Sequence, residues 1–201
     1  MSDLQATAKK MRGRLDKKES ARENAIKLSR RIIRECRSSM ASIHAGRDPL
    51  ETADGAKKMH MQLKKILADY PDLLASGYAV DAEQELAEVE ILSAAIEGLD
   101  PPAPQQIGVT DEAFVLGLGD SIGELRRVFL HRLMKDDVRG AEAMLRKMEE
   151  FFSTLMTFDY PDALIAVKRK QDIARGLVEK CRGELILSAQ MSQLRKDLNE
   201  D

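Results

Sequence analysis

Apolar residues return at intervals of three and four along almost the whole chain, and nowhere do they alternate with polar ones over a useful length. That pattern predicts helices and no sheet. Leu4, Ala8, Met11 and Leu15 begin one row, and Ile26, Ile33, Cys36, Met40 and Ile43 continue it, so residues 3–45 read as one long helix. It stops near Gly46, with Asp48-Pro49 just beyond. A narrow seam on so long a helix predicts packing against another helix of the bundle or against another subunit. A second helix covers 51–69, with Met59, Leu63, Ile66 and Leu67 on its apolar side and Tyr70-Pro71 at its end. A third, 78–98, turns Leu86, Val89, Ser93 and Ile96 to the core and closes at Gly98, ahead of a linker carrying Pro101, Pro102 and Pro104. Thr110 caps a fourth, with Asp111 and Glu112 in its first turn and Phe114, Leu118, Ile122, Leu125 and Phe129 as its core stripe, ending about Lys135. Asp137 to about Phe158 forms a fifth, through Ala141, Met144, Leu145, Met148, Phe151, Phe152 and Leu155. Asp159 as N-cap and Pro161 in the early turn open the last helix, which runs toward Leu198. The expectation is an all-α bundle of six or seven helices forming one domain over residues 1–201, with a long N-terminal helix.

Composition supports this: Trp is absent, aromatics are few and helix formers dominate. A net charge of -2 excludes a uniformly basic nucleic-acid coat but leaves room for local stripes. One such stripe is Lys27, Arg30, Arg31, Arg34 and Arg37 on the first helix. It is either a solvated face paired with Glu23 and Glu35 or a strip that faces phosphates. Arg outnumbers Lys there, which leans toward phosphate because Arg grips it bidentately. Cys36 and Cys181 stand far apart with no CxxC or neighbouring His, so both read as reduced thiols in an intracellular protein. No apolar run approaches the ~20 residues that span a bilayer, and the N-terminus lacks the apolar segment of a secretory signal. A cytoplasmic protein with no membrane partner is expected.

The candidate chemistry lies in two acidic stretches. In GLGDSIGELRR, residues 117–127, Asp120 and Glu124 share a helical face with Gly117, Arg127 and His131, away from the core stripe. Three glycines, 117, 119 and 123, interrupt that helix at roughly 1 kcal/mol each relative to alanine, which calls for close approach of a neighbouring helix or a ligand. In EQELAEVE, residues 83–90, Glu85 and Glu88 share a face with Tyr78, Asp81 and Leu92. From spacing alone each pair is either a solvated surface or half of a site. If the two faces meet, four buried carboxylates require a cation, and oxygen-only ligands select Mg²⁺ or Mn²⁺ over zinc. His44, His60 and His131 are scattered, and there is no HExxH, P-loop, GxSxG or zinc pattern.

GLGDSIGELRR, together with FDYPDALIAVKRKQDIARGLVEKCRGEL and QELAEV, resembles the translin superfamily, most closely its Trax-like (translin-associated factor X) branch with archaeal members. The likeness covers about residues 20–190; Val89 stands where the family often has alanine. It implies a helical protein that builds hollow oligomers, a homo-octamer by analogy, and cleaves single-stranded RNA endonucleolytically with Mg²⁺ (Mn²⁺ as substitute). It implies that Glu85, Glu88, Asp120 and Glu124 are both the catalytic carboxylates and the metal ligands. On that reading Lys27, Arg30, Arg31, Arg34 and Arg37 bind the nucleic acid, RNA with DNA as the alternative. The competing expectation is a translin-type oligomer that binds single-stranded RNA or DNA without cutting it. A third, blander one is a helical bundle that binds protein partners through its first helix.

Overall fold

In the computed structural model, which describes residues 3–47 and 50–200, every regular element is a helix. Six are long: α1 (Asp3–His44), α2 (Leu50–Leu67), α4 (Gly77–Glu97), α6 (Asp111–Met134), α7 (Val138–Leu155) and α8 (Lys168–Glu200). Two are single turns, α3 (Pro71–Leu74) and α5 (Pro104–Ile107), each opened by a proline. The all-α expectation holds, and the proline-rich linker contains one short turn of its own. Asp48-Pro49, the expected stop of the first helix, lies outside the described residues.

Local chemistry sets several helix ends. Thr110 Oγ1 accepts from the Ala113 N–H at 3.3 Å, and Asp137 Oδ1 from the Gly140 N–H at 2.9 Å. Gly98 closes α4 with φ 76°, a left-handed conformation that favours glycine.

The helices pack as a row in which α4 lies between α1 and α6, α2 covers α1 and α4, and α7 and α8 cover α6. The stripes of α6 and α7 are buried as expected, Leu118, Ile122, Leu125 and Phe129 on one and Ala141, Met144, Leu145, Met148, Phe151 and Leu155 on the other, except that Phe114 and Phe152 are only partly buried against the core. α4 departs from a one-sided pattern. Ala82, Glu83, Leu86, Ala87, Val89, Ile91 and Leu92 are all buried, because the helix has neighbours on most of its circumference. On α1 the seam shifts: Ala25, Leu28, Ser29, Ile32, Cys36 and Ser39 are buried, while Ile26, Ile33, Met40 and Ile43 flank them half-buried. The early part of that row is uncovered, with Leu4 78% and Leu15 62% exposed.

The last helix begins later than Asp159 and Pro161 predict. The Pro161 carbonyl accepts from Leu164 and Ile165 N–H groups in an isolated turn, and α8 starts at Lys168. In the residues between, Ile165 and Val167 are buried while Ala166 is exposed, an alternation in keeping with extended backbone. Gln171 Nε2 then donates to the Leu155 and Phe158 carbonyls at 2.9 and 2.8 Å, tying α8 to the end of α7. Among the described residues no helix is long and apolar enough to cross a membrane.

Candidate functional site

Gly117 sets where α6 crosses α4. A Cβ there would stand 2.9 Å from Ala87 Cβ and from the Gln84 carbonyl oxygen, and 3.0 Å from the Glu88 nitrogen. Any side chain at 117 would push α6 away from the stretch of α4 that carries Glu85 and Glu88. Gly119 plays the same part toward α8, where an added Cβ would lie 2.9 Å from Lys170 Cβ. Gly123 differs: the nearest atom to a Cβ there is Leu177 Cδ1 at 4.0 Å, an ordinary contact.

The two acidic faces do meet across this crossing. Glu88 is half-buried, and its carboxyl is pushed up to about 8 by burial first, then by Asp120, Glu85 and Glu124. Lys170 offsets this only in part, and among the described residues Glu88 makes no ion pair. Burial also raises Glu85, with Asp120 adding to the rise and Arg37, 3.7 Å away, opposing it. Asp120 accepts from Gln84 Nε2 at 2.6 Å and pairs with Lys170 Nζ. Glu124 accepts from Arg127 at 2.9 Å and meets His44 Nε2. Arg37, His44, Glu85, Glu88, Glu124 and Arg127 line a cleft of about 370 Å³. The buried Cys36 thiol behind it is pushed up to about 12, by burial first and then by Glu85 and Glu88, so it stays neutral.

Whether a divalent cation fits can be judged from these groups. The donors are all carboxylate oxygens, the chemistry of Mg²⁺ and Mn²⁺. Their mutual repulsion, concentrated on Glu88, is what such an ion relieves. As they stand, no three Asp, Glu, His or Cys side chains among the described residues surround one point closely enough to hold an ion. Two of the four are instead engaged by Lys170 and His44. The donor set fits; its side chains are arranged around the protein's own nitrogen groups.

The raised Glu88 has a pH consequence. Between its ordinary value of 4.5 and about 8 the folded protein keeps a proton that the unfolded chain has lost. Stability contributed by this group therefore falls as pH rises through that window. Thermal melts of metal-free protein should show Tm decreasing from about pH 5 to about pH 8, and Glu88→Gln should flatten the decrease. An identical slope in wild type and variant would contradict the assignment.

The basic stripe divides. Lys27, Arg30, Arg31 and Arg34 are exposed on the side of α1 opposite its buried seam and make no ion pair among the described residues, so pairing with Glu23 and Glu35 does not occur. Arg37, at the stripe's end, is turned onto Glu85 in the cleft. His131 does not join Glu124; it is exposed beside Ile43 and Ile96. Sequence reasoning missed His44, Lys170 and Gln84. His44 lies seven residues after Arg37, two helical turns along the same side of α1, and that spacing is the one signal that points to it. His60, also missed, is a core strut rather than a ligand: it is buried with its Nε2 3.0 Å from Glu83 Oε1.

No model of a known protein family matches the chain. Over 187 residues it is 34% identical to the uncharacterised protein MJ0175 of Methanocaldococcus jannaschii, a match spanning 92% of this chain and 83% of that protein. The crystal structure of AfC3PO superposes with a TM-score of 0.86 at 32% identity, covering 94% of this chain and 99% of that one. AfC3PO in complex with duplex RNA matches with a TM-score of 0.78 at the same identity, covering 94% of this chain and 98% of that one. Apo-NeC3PO shares the fold with a TM-score of 0.81 at 18% identity, over 94% of this chain and 98% of the other. The shared helical architecture, near-complete coverage and 32% identity make the chain a member of the translin superfamily, of the C3PO type.

Proposed function

We propose that this protein is a divalent-metal-dependent endoribonuclease of the Trax-like branch, with RNA, single-stranded in the first place, as its substrate. The observation that carries the reading is Glu88, held among Glu85, Asp120 and Glu124 with no cation paired to it. Glu85, Glu88, Asp120 and Glu124 would hold Mg²⁺ or Mn²⁺. When bound, the ion would supply an acidic water and a counter-charge for the phosphodiester. The chain's own residues do the rest. Lys170 and Arg37, each resting on one carboxylate, are placed to exchange it for a phosphate oxygen. Lys27, Arg30, Arg31 and Arg34 draw the strand along α1 toward the cleft, with salt-sensitive affinity and little sequence preference. The duplex RNA in AfC3PO supports RNA as the ligand class. The exposed rows on α1 (Leu4, Leu15) and α8 (Leu187, Met191, Leu194) are apolar surface that a neighbouring copy would cover, in keeping with a homo-oligomer and, by family analogy, an octamer.

A second reading is a non-catalytic RNA- or DNA-binding oligomer. The engagement of Asp120 by Lys170 and of Glu124 by His44 and Arg127 favours it, since Lys170 and Arg127 neutralise part of the site without any metal. Labelled single-stranded and duplex RNA incubated with Mg²⁺, and again with EDTA, separates the two. The nuclease reading expects cleavage with Mg²⁺ and none in EDTA, with binding retained. RNA that is bound but uncut with both Mg²⁺ and Mn²⁺ would establish the second reading.

A further inference from the structure

A second cavity, of about 530 Å³, shares Asp120 with the acidic site but none of its glutamates. Its volume lies within the roughly 300–1,000 Å³ typical of small-molecule sites. Leu116 from α6 and Ile173 and Leu177 from α8 give it apolar walls, and Gly123 leaves part of the α6 side bare. Its polar groups are few and distinct. Lys170 sits on Asp120, and Arg169 is exposed with no ion pair among the described residues. Gln84 commits its Nε2 to Asp120, leaving Oε1 as an acceptor.

The glycines of α6 sharpen the point. Helix packing accounts for Gly117 and Gly119, where a Cβ would collide with α4 and α8. It does not account for Gly123, where a Cβ would meet nothing closer than 4.0 Å. A glycine that the fold does not require, in mid-helix and facing an apolar cavity beside the carboxylates, leaves room for something that enters.

We infer that this cavity is a nucleotide subsite: it takes one base of the substrate strand against Leu116, Ile173 and Leu177, while Arg169 and Lys170 hold an adjoining phosphate. The inference deepens the nuclease reading and rests on it for the identity of the strand. The apolar walls suit any base face, Gln84 Oε1 offers one acceptor to a base edge, and the two cations complement the backbone. Because Asp120 lines this cavity and its charge acts on Glu85 and Glu88, a base seated here places its phosphate beside the acidic site. The subsite thus fixes the strand's position where the α1 stripe only attracts it.

The test compares two fluorescein-labelled 14-mers of equal charge, an oligouridylate and an abasic ribose-phosphate chain, by anisotropy in EDTA. Wild type should bind the oligouridylate about tenfold more tightly, within the span that stacking a base confers. Gly123→Val, which fills the cavity from α6, and Ile173→Glu, at a position 50% exposed and so free of the core, should each bring RNA binding down to the abasic level. Ile173→Glu also adds a carboxylate beside Arg169 and should weaken both chains, so the readout for each variant is the ratio of the two affinities, expected to fall to about one. If Gly123→Val loses helicity, Ile173→Glu decides the matter alone. Equal binding of the two chains by wild type, or an undiminished preference in Ile173→Glu, would overturn the subsite. So would variants whose light-scattering mass falls while the preference for bases persists, since a neighbouring copy would then be the occupant. Binding in EDTA is independent of catalysis: a base preference abolished by these variants in a protein that never cleaves RNA would uphold the subsite and sink the nuclease reading. Cleavage by wild type without any base preference would do the reverse.

Discussion

Asp120→Asn should reduce Mg²⁺-dependent RNA cleavage by more than about a hundredfold, beyond the 10–100-fold that loss of a supporting partner brings, while RNA affinity stays the same or rises slightly. Asp120 is the carboxylate that α6 presents to the larger cavity and whose charge helps raise Glu88, hydrogen-bonded to Gln84 at 2.6 Å and paired with Lys170. Asparagine keeps the volume and can still accept from Gln84, so helix packing at the Gly117 crossing is undisturbed. What is lost is one of the four charges that raise the demand for a cation. Removing a negative charge beside the strand's path cannot weaken phosphate binding, which gives affinity its expected direction. Single-turnover cleavage and anisotropy on the same RNA check both halves. Cleavage retained within about tenfold, in protein free of contaminating nuclease, would remove Asp120 from the site.

His60→Ala should destabilise the protein by about 3–5 kcal/mol, the range for breaking a buried pair from one side. His60 is 1% and Glu83 3% exposed. Burial alone would raise Glu83, but the hydrogen bond from His60 and that from the Thr110 N–H at 2.9 Å outweigh it and hold the carboxyl below its usual range. One side chain on α4 therefore joins α2 to the N-terminus of α6. Without His60 a buried carboxylate keeps only the Thr110 donor. A depressed acid of this kind contributes stability above its unfolded value of 4.5 and loses it as pH falls toward the folded one. The deficit of the variant should accordingly be full at neutral pH and shrink in acid. Urea unfolding at about pH 7 and about pH 4 measures it; a loss under about 1 kcal/mol at pH 7 would mean that water replaces the imidazole.

The same two sites show how far the sequence reads. Leu118, Ile122, Leu125 and Phe129 were legible because large apolar side chains return there at intervals of three and four, and Thr110 and Asp137 because a cap is made within four residues. The role of each glutamate on α4 was not. Glu83 is a strut, while Glu85 and Glu88 face the cleft, and helical spacing cannot distinguish them once the helix is covered on most sides. The family resemblance, not periodicity, joined the α4 pair to the α6 pair. The partners that finish the site come from far along the chain: His44 is 80 residues from Glu124, and Lys170 is 50 from Asp120. Lys170 was harder still to find, because Asp159 and Pro161 mimic a helix start where the chain makes only an isolated turn, and α8 begins at Lys168.

The central claim is that Glu85, Glu88, Asp120 and Glu124 together hold a divalent cation. Calorimetric titration of RNA-free protein with Mn²⁺ at about pH 7, repeated in buffers of different ionisation enthalpy, tests it most directly. With Glu88 pushed up to about 8, the carboxyl is protonated before the ion arrives. Binding should release about one proton, and Glu88→Gln should abolish that release and weaken the affinity. Mn²⁺ binding without proton release, or binding unchanged in Glu88→Gln, would contradict the account.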